Sequence, residues 1–354
     1  MDAALDMPDG EGSSRRRRVE PRGEGSTQGT LLVLAAGLLA AAPVIAGVVR
    51  AIGFEWTATA DDGQIAVRAF DVLSRHPPLL GQISLTSDLS GDPTFNLGPL
   101  EYWLLAIPAR FGSNALLVTM GLVNTACVMG SVALARRRGG LGLMVAVAAG
   151  IAITLRSLPA NAPYDLLNPY AALLPFTLLL FVAWSIACGD AFLLPVAAVA
   201  ASFAVQCHLT YVVPVVGTLV LAVAGLMVSR HLHRSARRMR WWVLATAVVL
   251  LVCWSAPLAE QVTHRPGNLV LVARAAGADR RILGRHAGWH ATARMVGVVP
   301  WWLRDPRPPF LRLVDLLGRP PALTIVSAPA RACGSAPRSP SWRARSRWVG
   351  TPSA

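Results

Sequence analysis

The sequence predicts an all-α protein: a polytopic transmembrane helical bundle of about seven spans or more, with interfacial helices in its first outer loop. Three observations predict it. The 354 residues are 54% hydrophobic and only 15% charged, too little charge to cover a soluble surface of that size. Several runs lack charge over about 20 residues, the length at which a helix crosses the hydrocarbon core. Arginines gather between those runs, as the flanks of membrane spans do. That placement assigns the net charge of +14 to topology and not to nucleic acid, because no zinc-finger or RNA-binding signature accompanies it.

Residues 1–28 are polar around Arg15 to Arg18 and read as a disordered cytoplasmic tail. A twin-arginine signal is the alternative, but the next apolar run is long enough to span and lacks a small-residue cleavage site. Residues 29–318 form the transmembrane domain, with spans near 30–50, 115–135, 140–156, 171–188, 191–208, 210–228 and 241–256. Arg136 to Arg138 and the basic stretch Arg230 to Arg240 then share a side with the N-terminal tail. The positive-inside rule makes that side the cytoplasm of a multi-pass cytoplasmic-membrane protein. The loop at 51–114 and the loop holding Asp165 fall outside. Beyond Pro257 the count also lies outside although arginines continue, among them Arg265, Arg274 and Arg285; Trp289, Trp301 and Trp302 there suggest an interfacial helix or partial span. Residues 319–354 carry Pro, Ser, Arg and Ala without apolar period, which reads as a disordered tail or as an out-of-frame stretch replacing a longer C-terminus. The five cysteines lack metal-ligand spacing and read as small buried hydrophobes.

The spans hold almost no ionisable residues, unlike transporters that place charge at mid-membrane. The polar chemistry sits in the outer loops. Asp61 and Asp62 open the first of them, before an amphipathic helix over Gln64–Ser74 with Ile65, Ala69 and Val72 on one face. Either aspartate could cap that helix. Adjacent carboxylates repel, however, and raise one pKa, a cost that capping alone does not require. His76-Pro77-Pro78 ends the helix, and Tyr102 and Trp103 in the next segment read as headgroup-level anchors, with substrate stacking as the alternative. Arg156 at a span end is a phosphate candidate or a snorkelling arginine. Asp165 could bind sugar hydroxyls or simply close a turn, and His208 could orient a phosphate or be an interfacial helix residue at a span end.

The order Asp61-Asp62, then Gly98-Pro99-Leu100-Glu101-Tyr102-Trp103-Leu104-Leu105, then Asn168-Pro169-Tyr170 and Gln206-Cys207-His208 resembles the GT-C membrane glycosyltransferases, in their protein O-mannosyltransferase and aminoarabinose transferase branch. The resemblance implies an inverting transfer of a sugar from a polyprenyl-phosphate donor to a lipid or cell-envelope acceptor outside the cytoplasmic membrane. It implies Asp61 as general base with Asp62 as partner, and Arg156, Asp165, His208, His76 and Tyr102 as substrate contacts. A divalent metal would fall to Asp62, although the aspartate is shorter than the glutamate often found there. The lysine that often precedes the Pro-Leu motif is replaced by Leu97-Gly98. The alternative function is non-catalytic: a lipid-linked-sugar transporter or flippase, or an inactive transferase fragment.

Overall fold

The computed structural model describes residues 23–84, 87, 92–159, 161–233, 239–277, 284–286 and 288–289. The chain divides into two compact units, residues 1–282 with 300–304, and residues 283–299 with 305–354. Of the second unit only two short helical pieces are described, with Trp289 exposed. Trp301 and Trp302 and the tail at 319–354 lie outside the described residues, as does the arginine run at 15–18.

The first unit is helical, with one isolated bridge between Ile83 and Phe95 and no strands among the described residues. Its helices are α1 (Gly23–Gly53), α2 (Ala60–Asp71), α3 (Leu100–Leu105), α4 (Ser113–Ser157), α5 (Asn168–Ala171), α6 (Leu173–Ala187), α7 (Leu194–Cys207), α8 (Val212–His233), α9 (Met239–Thr263) and α10 (Asn268–Gly277). Among the described residues, five helices are long and apolar enough to cross a membrane. Their outward faces carry large apolar side chains such as Leu39, Val213 and Leu251 at 74%, 79% and 67% exposure, which water would not tolerate over so wide a surface.

The two spans expected at 115–135 and 140–156 are one 45-residue helical run. Continuous, it would measure about 68 Å, more than twice the hydrocarbon thickness. It breaks at Gly139 and Gly140, where Gly140 takes φ +70°, a left-handed conformation that favours glycine. Both halves then pack on α1: Cys127, Val128 and Val132 from the first and Met144, Ile151 and Leu155 from the second share one core with Ala40, Ala41 and Val44. A second core joins α6, α7 and α8 through Leu179, Ile186, Phe203, Val215 and Leu226. Alanine dominates α7, from Ala197 to Ala204, so its backbone lies close to its neighbours.

Several boundaries differ from the sequence reading. The helix expected at Gln64–Ser74 begins at Ala60, so Asp61 and Asp62 sit in its first turn and neither caps it; the cap position is Thr59. Carboxylates in a first turn still meet the positive end of the helix dipole. The last long helix does not stop at Ala256 but runs through Pro257 to Thr263. Tyr102 is no surface anchor: it is 2% exposed, packed with Ile65, Ala69, Leu105 and Met120. Cys127, Cys207 and Cys253 are buried as expected, but Cys188 is exposed and Cys333 lies outside the described residues.

The first loop is more built than helix stops and starts would make it. Gly81, Gln82 and Ser84 run antiparallel to Thr94 and Asn96, with Gly81 N–H donating to Asn96 O at 3.0 Å and Asn96 N–H to Gln82 O at 2.8 Å. Asn268 then clamps this ribbon, donating to Phe95 O and accepting from Phe95 N–H at 3.0 and 2.9 Å. A Cβ at Gly98 would stand 2.1 Å from Gln206 Oε1 and 2.8 Å from Pro257 Cγ. The glycine is therefore a close-approach residue that lets the loop lie on α7 and α9.

Candidate functional site

The elements that meet at this end of the unit bring together carboxylates far apart in sequence. On α2, Ile65 and Ala69 are fully buried, and Asp62, one turn earlier on the same face, is carried inward with them. There it shares a hydrogen bond with Asp165 from the loop after α4. Burial first, then the Asp165 charge and that hydrogen bond, and last Asp61, push the Asp62 carboxyl up to about 7. Glu101 on α3 is 3% exposed, and burial, with Asp62 and Asp165 nearby, holds it well above the usual carboxylic range. One oxygen each of Asp62 and Glu101 is buried with no hydrogen-bond partner.

The surrounding amides fix this cluster. Asn168 Nδ2 donates to Glu101 Oε2 at 3.1 Å. Asn161 Nδ2 and the Leu167 N–H donate to the two oxygens of Asp165. Asp61 is exposed and accepts from Gln82 Nε2 at 3.3 Å. The adjacent pair is thus split: one carboxylate faces solvent, the other faces like charges.

The opposite face of α2 forms one wall of an open cleft of about 940 Å³. Its other walls are the ribbon at 77–83 and the end of α9, with Glu260 and His264. Gln64, Arg68 and Tyr102 supply polar groups, and Val67, Ile83 and Phe95 apolar ones. Asp61 and Asp62 are not among its lining residues, though Ala60 and Gly63 on either side of them are. Burial, then Glu101, raise the Tyr102 hydroxyl, while Arg68 acts the other way, so the phenol stays a donor. Glu260 is tied down, accepting the Asn268 N–H on both oxygens at 3.2 and 3.0 Å.

The other residues singled out from sequence stand apart. Arg156 is exposed in the last turn of α4 and does not line the cleft. His76 is exposed in the turn after α2, its backbone N–H bonded to Ser74 Oγ. His208 caps a 3₁₀ turn, its Nδ1 accepting the Thr210 N–H, and burial draws its imidazole below the usual value. The divalent metal raised for Asp62 finds no donor set: among the described residues no group of three or more His, Cys, Asp or Glu side chains could hold one. Two residues escaped the sequence reading. Arg68 lies within the Gln64–Ser74 segment, where nothing in the sequence marks it for a site. Glu101 was visible only as a letter in the Gly98-Pro99-Leu100 segment, and its own neighbours Tyr102 and Trp103 gave no sign that a carboxyl would be buried among them.

The class of protein that the fold and site point to is a helical membrane protein with a polar, acidic site at one end of its apolar helices. No family model, curated protein or solved structure matches the chain.

Proposed function

We propose that this chain is an integral membrane glycosyltransferase of GT-C type, moving a sugar from a polyprenyl-phosphate donor to an acceptor at the extracytoplasmic face with inversion. The observation that carries the reading is the Asp62 carboxyl, pushed up to about 7 among Asp165, Glu101 and Asp61 behind a cleft that holds Arg68. A general base works best when its pKa lies near the operating pH. Asp62 meets that condition but faces away from the cleft. We therefore place it as the terminal proton acceptor, reached through the exposed Asp61, which is bonded to Gln82 of the cleft wall.

In the proposed step an acceptor oxygen attacks the anomeric carbon. Its proton passes through Asp61 to Asp62, and the bond from that carbon to the donor phosphate breaks, the electron pair leaving with the phosphate. One displacement inverts the centre. Arg68 neutralises the departing phosphate, and the Tyr102 hydroxyl and Gln64 bind sugar or phosphate oxygens. The apolar stretch Pro77 to Leu80 receives the first isoprene units. Counting the two halves of α4 and the 17-residue run that ends in α7 gives seven passes, with Arg136 to Arg138 cytoplasmic and the cleft outside.

The test is transfer of radiolabelled sugar from a polyprenyl-phosphate donor in membranes carrying the full chain. Asp62→Asn should cut transfer at least 100-fold, as loss of a general base does. Transfer that survives both Asp61→Asn and Asp62→Asn would sink the assignment of the base to this pair. Transfer no greater than in membranes lacking the chain would return it to the non-catalytic alternative.

A further inference from the structure

At the far end of the same helices lies a site that the proposed transfer does not use. From Leu116 beside the acidic cluster to Arg136, α4 runs about 30 Å, the thickness of the hydrocarbon core. Three guanidiniums follow one another there, Arg136, Arg137 and Arg138. Asp190 answers two of them: Arg137 Nη2 lies 2.9 Å from Asp190 Oδ1, and Arg138 bonds Asp190 Oδ2. Arg138 is also bonded to Ser185 O at 2.9 Å, and Arg137 lies over the Phe192 ring at 5.1 Å. Both are thereby oriented. Arg136 forms no ion pair with a carboxylate among the described residues, and three cations against one anion leave two positive charges.

Arg136 and Arg137 form one side of a recess of about 410 Å³, and Gly29, Thr30 and Val33 of α1 form the other. Val33 continues downward into the core around Ala40, Val44 and Cys127, while Leu31, Leu32 and Leu34 of the same helix are 60%, 50% and 41% exposed. Two cations thus face small residues of α1 across the recess, and exposed leucines adjoin it at the same level. Leu38 and Leu39, 48% and 74% exposed, follow further along the helix. That sequence of polarities is the one a phospholipid presents from headgroup to acyl chain.

We propose that this recess binds the phosphodiester of an anionic phospholipid, with Arg136 as its principal contact and Arg137 as the second, the acyl chains lying along the exposed leucines of α1. Charge complementarity selects the occupant. A zwitterionic lipid brings its own ammonium and gains little from an excess of two positive charges. A free phosphate has no tail for the apolar flank.

The experiment is thermal unfolding of the purified full chain in detergent, titrated with phosphatidylglycerol, phosphatidylcholine or inorganic phosphate. Phosphatidylglycerol should raise the melting temperature by several degrees more than phosphatidylcholine, and inorganic phosphate should not. Arg136→Gln should abolish the difference between the lipids, whereas Arg240→Gln, whose guanidinium lies over Trp241 and outside the recess, should keep it. Gly29→Leu gives an independent variant that adds bulk to a residue lining the recess, where a Cβ meets nothing within 4 Å. It too should abolish the preference. Equal shifts from both lipids, an equal shift from phosphate alone, or a preference that survives both Arg136→Gln and Gly29→Leu would overturn the proposal. None of these readouts depends on sugar transfer.

Discussion

The two ends of the bundle handle charge in opposite ways. At the arginine end, opposite charges meet: Arg137 and Arg138 converge on one Asp190, and the side chain of Arg137 stays half exposed. At the acidic end, like charges meet: Asp62, Glu101 and Asp165 are drawn together in a half-buried or buried setting with only amide donors around them. Opposite charges of the first kind neutralise one another and orient the arginines, and the half-exposed Arg137 contributes little to stability. Grouped, buried carboxyls of the second kind cost stability, and a fold keeps them where the shifted pKa has a use.

The largest effect expected from breaking this contrast is on activity. Asp62→Asn removes the group held near neutrality and should lower sugar transfer at least 100-fold with the fold retained, while Asp190→Asn at the other end should leave transfer unchanged. Transfer assays on the two variants in one membrane preparation make the comparison direct.

Next in size are the glycines. Gly98→Ala forces a Cβ onto Gln206 Oε1 and Pro257 and should cost about 1–3 kcal/mol, read as a drop in melting temperature with loss of the cleft. Gly140→Ala at the arginine end meets no close atom but must hold φ +70°, for about 1–2 kcal/mol. Gly150→Ala, with an open neighbourhood inside α4, should be neutral or slightly stabilising.

The pH dependence follows from Asp62. Its carboxyl holds a proton up to about 7 when folded but only to 3.8 as an unperturbed group. The folded state therefore binds more protons between those values, and this contribution to stability falls as pH rises through the window. Glu101, raised in the same direction, adds to it. Melting temperatures from pH 5 to 8 should decline for the wild-type chain and decline less for Asp62→Asn. Transfer should run the other way, rising through about pH 7 as the base loses its proton. A stability profile unchanged by Asp62→Asn would remove the pKa argument for that residue.

At the arginine end, Asp190→Asn should cost about 1–3 kcal/mol, because Arg138, only 17% exposed, loses its carboxylate even though Arg137 remains solvated.

Much of the scaffold was legible as letters. The apolar runs predicted at 115–135 and 140–156 are the two halves of α4, and the arginines between them mark its break. The amphipathic face of Ile65 and Ala69 was readable from spacing alone, and both residues are buried. The split of Asp61 from Asp62 was half legible, since adjacent positions on a helix point about 100° apart, but which one turns inward depends on where the helix starts. The reading that began it at Gln64 lost that register.

Hydropathy and period are local properties, and they determined that this chain is helical, apolar and punctuated by arginine. Proximity across some 40 or 100 residues is not local. Only the tertiary structure decided that Glu101 and Asp165 lie beside Asp62, that Tyr102 is interior, that Gly98 touches Gln206, and that Arg68, not Arg156, lines the cleft. The physical reason is that a carboxyl reads the same in sequence whether water or another carboxyl surrounds it; its pKa, and with it its chemistry, is set by the neighbours that packing supplies.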